Sequence, residues 1–181
     1  MDQRYTRTAM LLHWLIAILL VSQFAFGWVL NDIPLGVPAR GYFVNLHKST
    51  GMLIGLLILL RIVWRLMHTP PPLPSTTPDW QQRAAAASHH LLYVLMLVMP
   101  LSGYIASNFS KHGVNFFNSV KLAPWGSDDK LLYAFFNQTH KTTSWLLLAL
   151  VILHVLAALK HLFVDRDDIF SRMLPRRSAS P

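Results

Sequence analysis

The sequence predicts an all-α membrane protein, an antiparallel bundle of four transmembrane helices, on three observations. Apolar runs long enough to cross about 30 Å of hydrocarbon, about 20 helical residues each, occur four times. The chain is 53% hydrophobic and 13% charged, too apolar for an ordinary water-facing surface. Its charges flank the apolar runs and form no continuous basic patch. A net charge of +8 with no glutamate therefore reflects membrane topology, and no nucleic-acid partner is expected.

The first span is read over residues 8–30. Arg4 and Arg7 before an apolar run resemble a signal peptide, but the run is too long and carries His13 and Trp14 near its start. The second span covers 43–66. Residues 68–78 follow, where Pro70, Pro71, Pro72, Pro74 and Pro78 stop any helix and make a stiff surface connector. The third span covers 84–107. The longest connector, 108–138, carries Pro124, Gly126, Asp128 and Asp129, with a short interfacial helix expected over 130–136. The fourth span covers 139–163, and the four together form one transmembrane domain over residues 1–181.

Basic residues set the orientation. Arg4, Arg7, Arg61, Arg65, Arg83, Lys160, Arg166, Arg172, Arg176 and Arg177 fall on the side of the termini and the Pro-rich connector. The opposite side holds Arg40, Lys48, Lys111, Lys121, Lys130 and Lys141. Ten against six predicts both termini in the cytoplasm, because positive loops are retained there. With no cysteine, there is no disulfide framework, thiolate metal site, iron–sulfur cluster or covalent haem attachment.

Histidine within a span is costly, so the nine histidines are the most informative residues. His13 lies in the first turns of span one, His47 in the first turns of span two, and His140 and His154 near opposite ends of span four. Alternating span direction puts His13 with His154 at the cytoplasmic level and His47 with His140 at the other. The fourteen residues from His140 to His154 return to nearly the same helix face after about 21 Å of rise. One helix can then supply a ligand to each of two stacked haems. The same interval separates His13 from Gly27, His47 from Arg61 and His89 from Gly103.

Gly27 and Gly103 are expected to let a flat macrocycle approach the backbone, and Gly51 and Gly55 continue the His47 face. Plain helix packing is the competing reading of all four glycines. Arg61 falls at the cytoplasmic haem level, where a propionate contact and simple snorkelling are equal readings. His89 or His90 is an alternative ligand in place of His13 or His154, while a hydrogen bond from His89 to a propionate or a quinone is the preferred role. His68, His112 and His161 read as interfacial. A lone intramembrane histidine often only bonds a neighbouring helix, but four that pair by depth point to metal ligation.

At these residues the chain resembles the bacterial cytochrome b561 family along nearly its whole length. The resemblance rests on His13-Trp14, HKSTG (47–51), RIVWR (61–65), the TPPP connector, MPLSG (99–103), the separated His140 and His154, and SRMLPRR (171–177). It implies a four-helix protein of the bacterial inner membrane with two b haems ligated by His13, His47, His140 and His154. It also implies ubiquinone as electron acceptor, and for some relatives superoxide as the periplasmic donor. No catalytic residue is assigned. Six basic residues against Asp32, Asp128 and Asp129 leave the periplasmic side +3, which steers a small anion or merely anchors the interface. For a quinone acceptor, aromatic and polar residues near a haem edge are needed, and Trp14, His89 and Arg61 on the cytoplasmic side are the candidates. Two other functions compete: a di-haem membrane anchor that hands electrons to a dehydrogenase partner through the 108–138 connector, and a haem-free transporter or structural bundle that uses the histidines as a proton relay.

Overall fold

The computed structural model describes residues 4–74 and 77–174. Arg176 and Arg177 of the charge count, and the end of the SRMLPRR segment, lie outside the described residues. Four long helices dominate: α1 (Arg7–Asp32), α2 (Pro38–Met67), α3 (Asp79–Asn108) and α4 (Lys130–Lys160). Each is long and apolar enough to cross a membrane. Their outward faces carry side chains such as Leu11, Ile18, Leu56, Val94 and Leu153, all exposed, as lipid-facing positions require.

The helix ends follow from local chemistry. Thr6 caps α1 by accepting the Ala9 N–H on its hydroxyl, and Pro38 occupies the first turn of α2, where its missing N–H costs nothing. α4 starts at Lys130, well before the expected residue 139. The separate interfacial helix over 130–136 is thus corrected to the first turns of α4. The Asp129 carboxylate accepts the Leu131 and Leu132 N–H groups, and no glycine or proline interrupts the chain from there to His140. α2 also starts early, so His47 stands about three turns in.

The connector after α3 holds an element the sequence reading lacked, a two-stranded hairpin of β1 (Val114–Phe116) and β2 (Val120–Leu122). Phe117, Asn118 and Ser119 join the strands, the first two left-handed at φ 46° and 55°, with the Ser119 N–H donating to the Phe116 carbonyl. The hairpin lies on α2. Phe117 N–H donates to Ser49 Oγ at 2.7 Å, Asn115 N–H to Asn45 Oδ1 at 3.1 Å, and Lys48 Nζ to the Gly113 carbonyl at 2.8 Å.

Beyond α4 the chain makes a π-helical turn (His161–Asp165), reverses at left-handed Arg166 and enters a 3₁₀ turn (Phe170–Met173). This last turn docks under the bundle. Trp14 Nε1 donates to the Met173 carbonyl at 2.8 Å, Tyr5 N–H to the Arg172 carbonyl at 3.3 Å, and the Arg172 guanidinium to the Pro72 carbonyl at 2.6 Å.

The core is a single apolar zone halfway along the helices. Ile16, Ile54 and Ile58 form one cluster and Leu20, Leu92 and Leu147 another, with Met96 packed against both. Leu20, Ile54, Met96 and Leu147 each stand seven residues from both members of a fourteen-residue pair: His13/Gly27, His47/Arg61, His89/Gly103 and His140/His154. About 10 Å of helix rise separates this zone from the residues above and below it. The bundle is therefore layered, histidine–apolar–histidine.

Candidate functional site

Both expected histidine pairs meet. On the side where residues 4–6 and the 3₁₀ turn converge, here the near side, the His13 and His154 ring centroids are 6.2 Å apart with planes at 67°. On the far side, beneath the hairpin, His47 and His140 are also 6.2 Å apart, with planes at 87°. A metal–imidazole bond of about 2.0 Å and a ring nitrogen about 1.2 Å from its ring centre put two imidazoles on opposite sides of one metal about 6.4 Å apart, centre to centre. The packed helix seams run between α3 and α4, α1 and α2, and α2 and α3. The pairs instead span α1 to α4 and α2 to α4, across the interior.

The far layer fits a haem on several counts. His140 donates its Nδ1–H to the Met99 carbonyl at 2.7 Å, which leaves Nε2 with the lone pair needed by a metal. Buried His47 Nδ1 has no hydrogen-bond partner among the described residues. Both rings line a cavity of about 1170 Å³ that reaches Gly27, Gly51, Met52, Met96, Pro100 and Ser144. A pocket of this size takes a large flat cofactor, since those enclosing drug-sized ligands span about 300–1,000 Å³. At its rim stand Arg40, Lys48, Lys111, Lys130 and Lys141, with Asp128 paired to Lys111 at 3.7 Å.

The glycines make room for protein side chains at this level. A Cβ at Gly103 would sit 2.9 Å from His140 Nδ1 and 3.1 Å from its Cε1, so the missing side chain makes room for the imidazole. Gly27 likewise faces His47, with Cε1 3.6 Å from a built Cβ. Gly51 faces Gln23, whose Nε2 donates to the His47 carbonyl at 2.8 Å, and Gly55 packs on Pro100. At Gly27 and Gly103 the protein groups that approach the backbone are the rings of the two far-layer histidines.

The near layer contains a third imidazole. His89 from α3 lies 5.6 Å from His154, ring to ring, with planes at 64°. His90 is exposed and donates its Nδ1–H to the Ala86 carbonyl, so of the two α3 histidines only His89 joins the layer. Arg61 bonds within the bundle. Its NH1 donates to the Ala9 carbonyl at 2.8 Å, one turn before His13, and its Nε to Tyr93 Oη at 3.2 Å. Trp14 stands edge-on to His13 at 5.3 Å, and its indole N–H donates to the Met173 carbonyl.

The remaining histidines have local duties. His68 stacks on Trp64 at 3.9 Å, His161 donates to Asp167 Oδ2 at 2.7 Å, and His112 lines the far cavity. Sequence reasoning missed Gln23 and the Met99 carbonyl as supports for the histidines. Gln23 alone carried a signal, a polar residue inside an apolar span.

Residues 4–176 match the family model described as prokaryotic cytochrome b561. The chain is 33% identical to cytochrome b561 homolog 2 of Escherichia coli strain K12 over 98% of its own length and 94% of the relative. It is 25% identical to cytochrome b561 homolog 1 of the same organism, over 96% and 98% of the two chains. To the probable superoxide oxidase CybB of Yersinia pestis the identity is 26%, over 98% and 99%.

Proposed function

Because the chain belongs to the prokaryotic cytochrome b561 family, we propose that its two histidine layers are the axial ligand sets of two b haems, His47 with His140 on the far side and His13 with His154 on the near side. Membership makes the protein a multi-pass bacterial membrane protein of haem-based transmembrane electron transfer. The observation that carries the ligand assignment is the repeated 6.2 Å ring separation in pairs that cross the interior. Two neutral imidazoles on each haem would let it exchange electrons with little change in ligation.

The chain's own residues then have definite tasks. Met99 orients His140, Gln23 fastens α1 to the His47 turn, and the apolar zone around Leu20, Ile54 and Leu147 keeps water out between the layers. Arg61, anchored one turn from His13, is the near-side cation for a propionate. His89 supplies a polar ring at the same level, for a propionate or for ubiquinone.

Electrons enter on the periplasmic side, at the far layer, and leave to ubiquinone from the near layer, with both termini in the cytoplasm. The charge excess on the near-side loops supports that orientation. Superoxide is the donor we favour. The five cations around the far cavity, against the one carboxylate Asp128 that pairs with Lys111, attract a small anion, and one relative is named a probable superoxide oxidase. Each superoxide loses one electron to become dioxygen, and a quinone takes up two electrons and two protons.

Stopped-flow mixing of the oxidised holoprotein with superoxide tests the donor. Haem reduction faster than in a sample containing a superoxide scavenger is expected. Equal rates would remove superoxide and leave a protein donor. A reduced-minus-oxidised spectrum without b-type bands after haem-replete expression would defeat the haem reading altogether.

A further inference from the structure

On the near side a small cleft opens between the residues before α1, the end of α2, the Pro-rich connector and α3. Arg4, Arg61 and Arg65 line it together with Trp64, His68 and Tyr93. All three arginines are half-buried, and their partners among the described residues are neutral. Arg4 donates to the Leu174 carbonyl, Arg61 to the Ala9 carbonyl and Tyr93 hydroxyl, and Arg65 lies 5.8 Å over the Tyr93 ring. Three guanidiniums around one cleft repel one another, and an anion between them relieves the repulsion.

Size and surroundings narrow the ligand. The cleft holds about 50 Å³, far below the roughly 300–1,000 Å³ of a pocket that encloses a whole small molecule. It accepts a phosphate-sized head and leaves the rest of the ligand outside. Outside it, the same end of α2 presents Leu60, Val63, Leu66 and Met67, half to more than four-fifths exposed, on the surface that faces lipid. A basic pocket at a helix end beside an apolar, lipid-facing strip suits a lipid with a charged head.

We propose that this cleft binds the phosphate of an anionic phospholipid whose acyl chains lie along the exposed face of α2. Arg4 and Arg65 hold the phosphate. Arg61, tied to α1 and Tyr93, forms the floor between the lipid and the near histidine layer. The bound lipid staples the segment before α1 to the end of α2.

Native mass spectrometry of the detergent-purified holoprotein tests this, with phosphatidylglycerol and phosphatidylcholine offered in equal amounts. The wild-type protein should retain phosphatidylglycerol with about 10-fold preference. Arg4→Gln with Arg65→Gln should abolish the preference while haem content and spectrum stay unchanged. Arg65→Gln alone, a milder change should the double variant fold poorly, should lower the preference about 3-fold. No preference in the wild type, or an undiminished one in the variants, would overturn the proposal. So would release of the retained lipid by excess inorganic phosphate, which would make the ligand a soluble anion. Loss of haem in a folded Arg4→Gln, Arg65→Gln protein would likewise overturn it and assign these cations to a propionate.

Discussion

The two histidine layers share one ring separation and differ in almost everything around it. The far layer has two imidazoles beside a large cavity with a cationic rim. The near layer crowds three imidazoles together beneath a floor laced by Trp14, Tyr5 and Arg172. In one helix bundle, equal ring separation thus coexists with different surroundings. A histidine pair beside a large cavity and a histidine trio braced by the chain's own terminal segments are two different settings for one ring separation.

The largest expected effect distinguishes the layers directly. His140→Ala should lower haem from two per protein to one and remove the far-layer spectrum, and His13→Ala should do the same for the near layer. Haem-to-protein stoichiometry with redox titration reads both. If His89→Ala removes the near haem and His13→Ala spares it, the near pair is His89 with His154.

Next in size is Gly103→Ala. Its Cβ, 2.9 Å from His140 Nδ1, must push the ring off the Met99 carbonyl. Losing such an outer-shell hydrogen bond costs about 10–100-fold in affinity for the bound metal group. Haem retention during dilution into haem-scavenging apoprotein measures it, and the near haem should stay. Trp14→Phe should be milder, removing one hydrogen bond to Met173 at about 1 kcal/mol. Thermal unfolding in detergent should register it with both haems retained. Smallest of all should be Gly27→Ala, whose Cβ would meet His47 Cε1 at an ordinary 3.6 Å. Comparing it with Gly103→Ala separates steric displacement of a ligand from any general intolerance of side chains at this level.

Much of this was legible along the chain because helices convert sequence interval into position. Fourteen residues return a side chain to nearly the same face about 21 Å on, so His140 and His154 had to mark two levels. Span direction then paired His13 with His154 and His47 with His140 by depth. The hairpin was not legible, since its three-residue strands are too short to show alternation, and its turn uses Phe117 and Asn118 instead of a glycine. The start of α4 is hidden in the sequence because the polar run NQTHKTTS (137–144) separates the apolar LLYAFF (131–136) from the rest of the helix, although Asp129 is a capping signal in view.

Four membrane-crossing helices and two histidine levels were determined by the sequence alone, because hydrophobic length and helical period are local and one-dimensional. Tertiary structure decided what those levels contain. That Gly103 yields its space to His140, that Arg61 reaches Ala9 while His90 turns away, and that a third imidazole joins the near layer all depend on the azimuth of one helix against another. Helix azimuth is set by packing contacts between residues distant in the chain, which no interval along a single helix encodes.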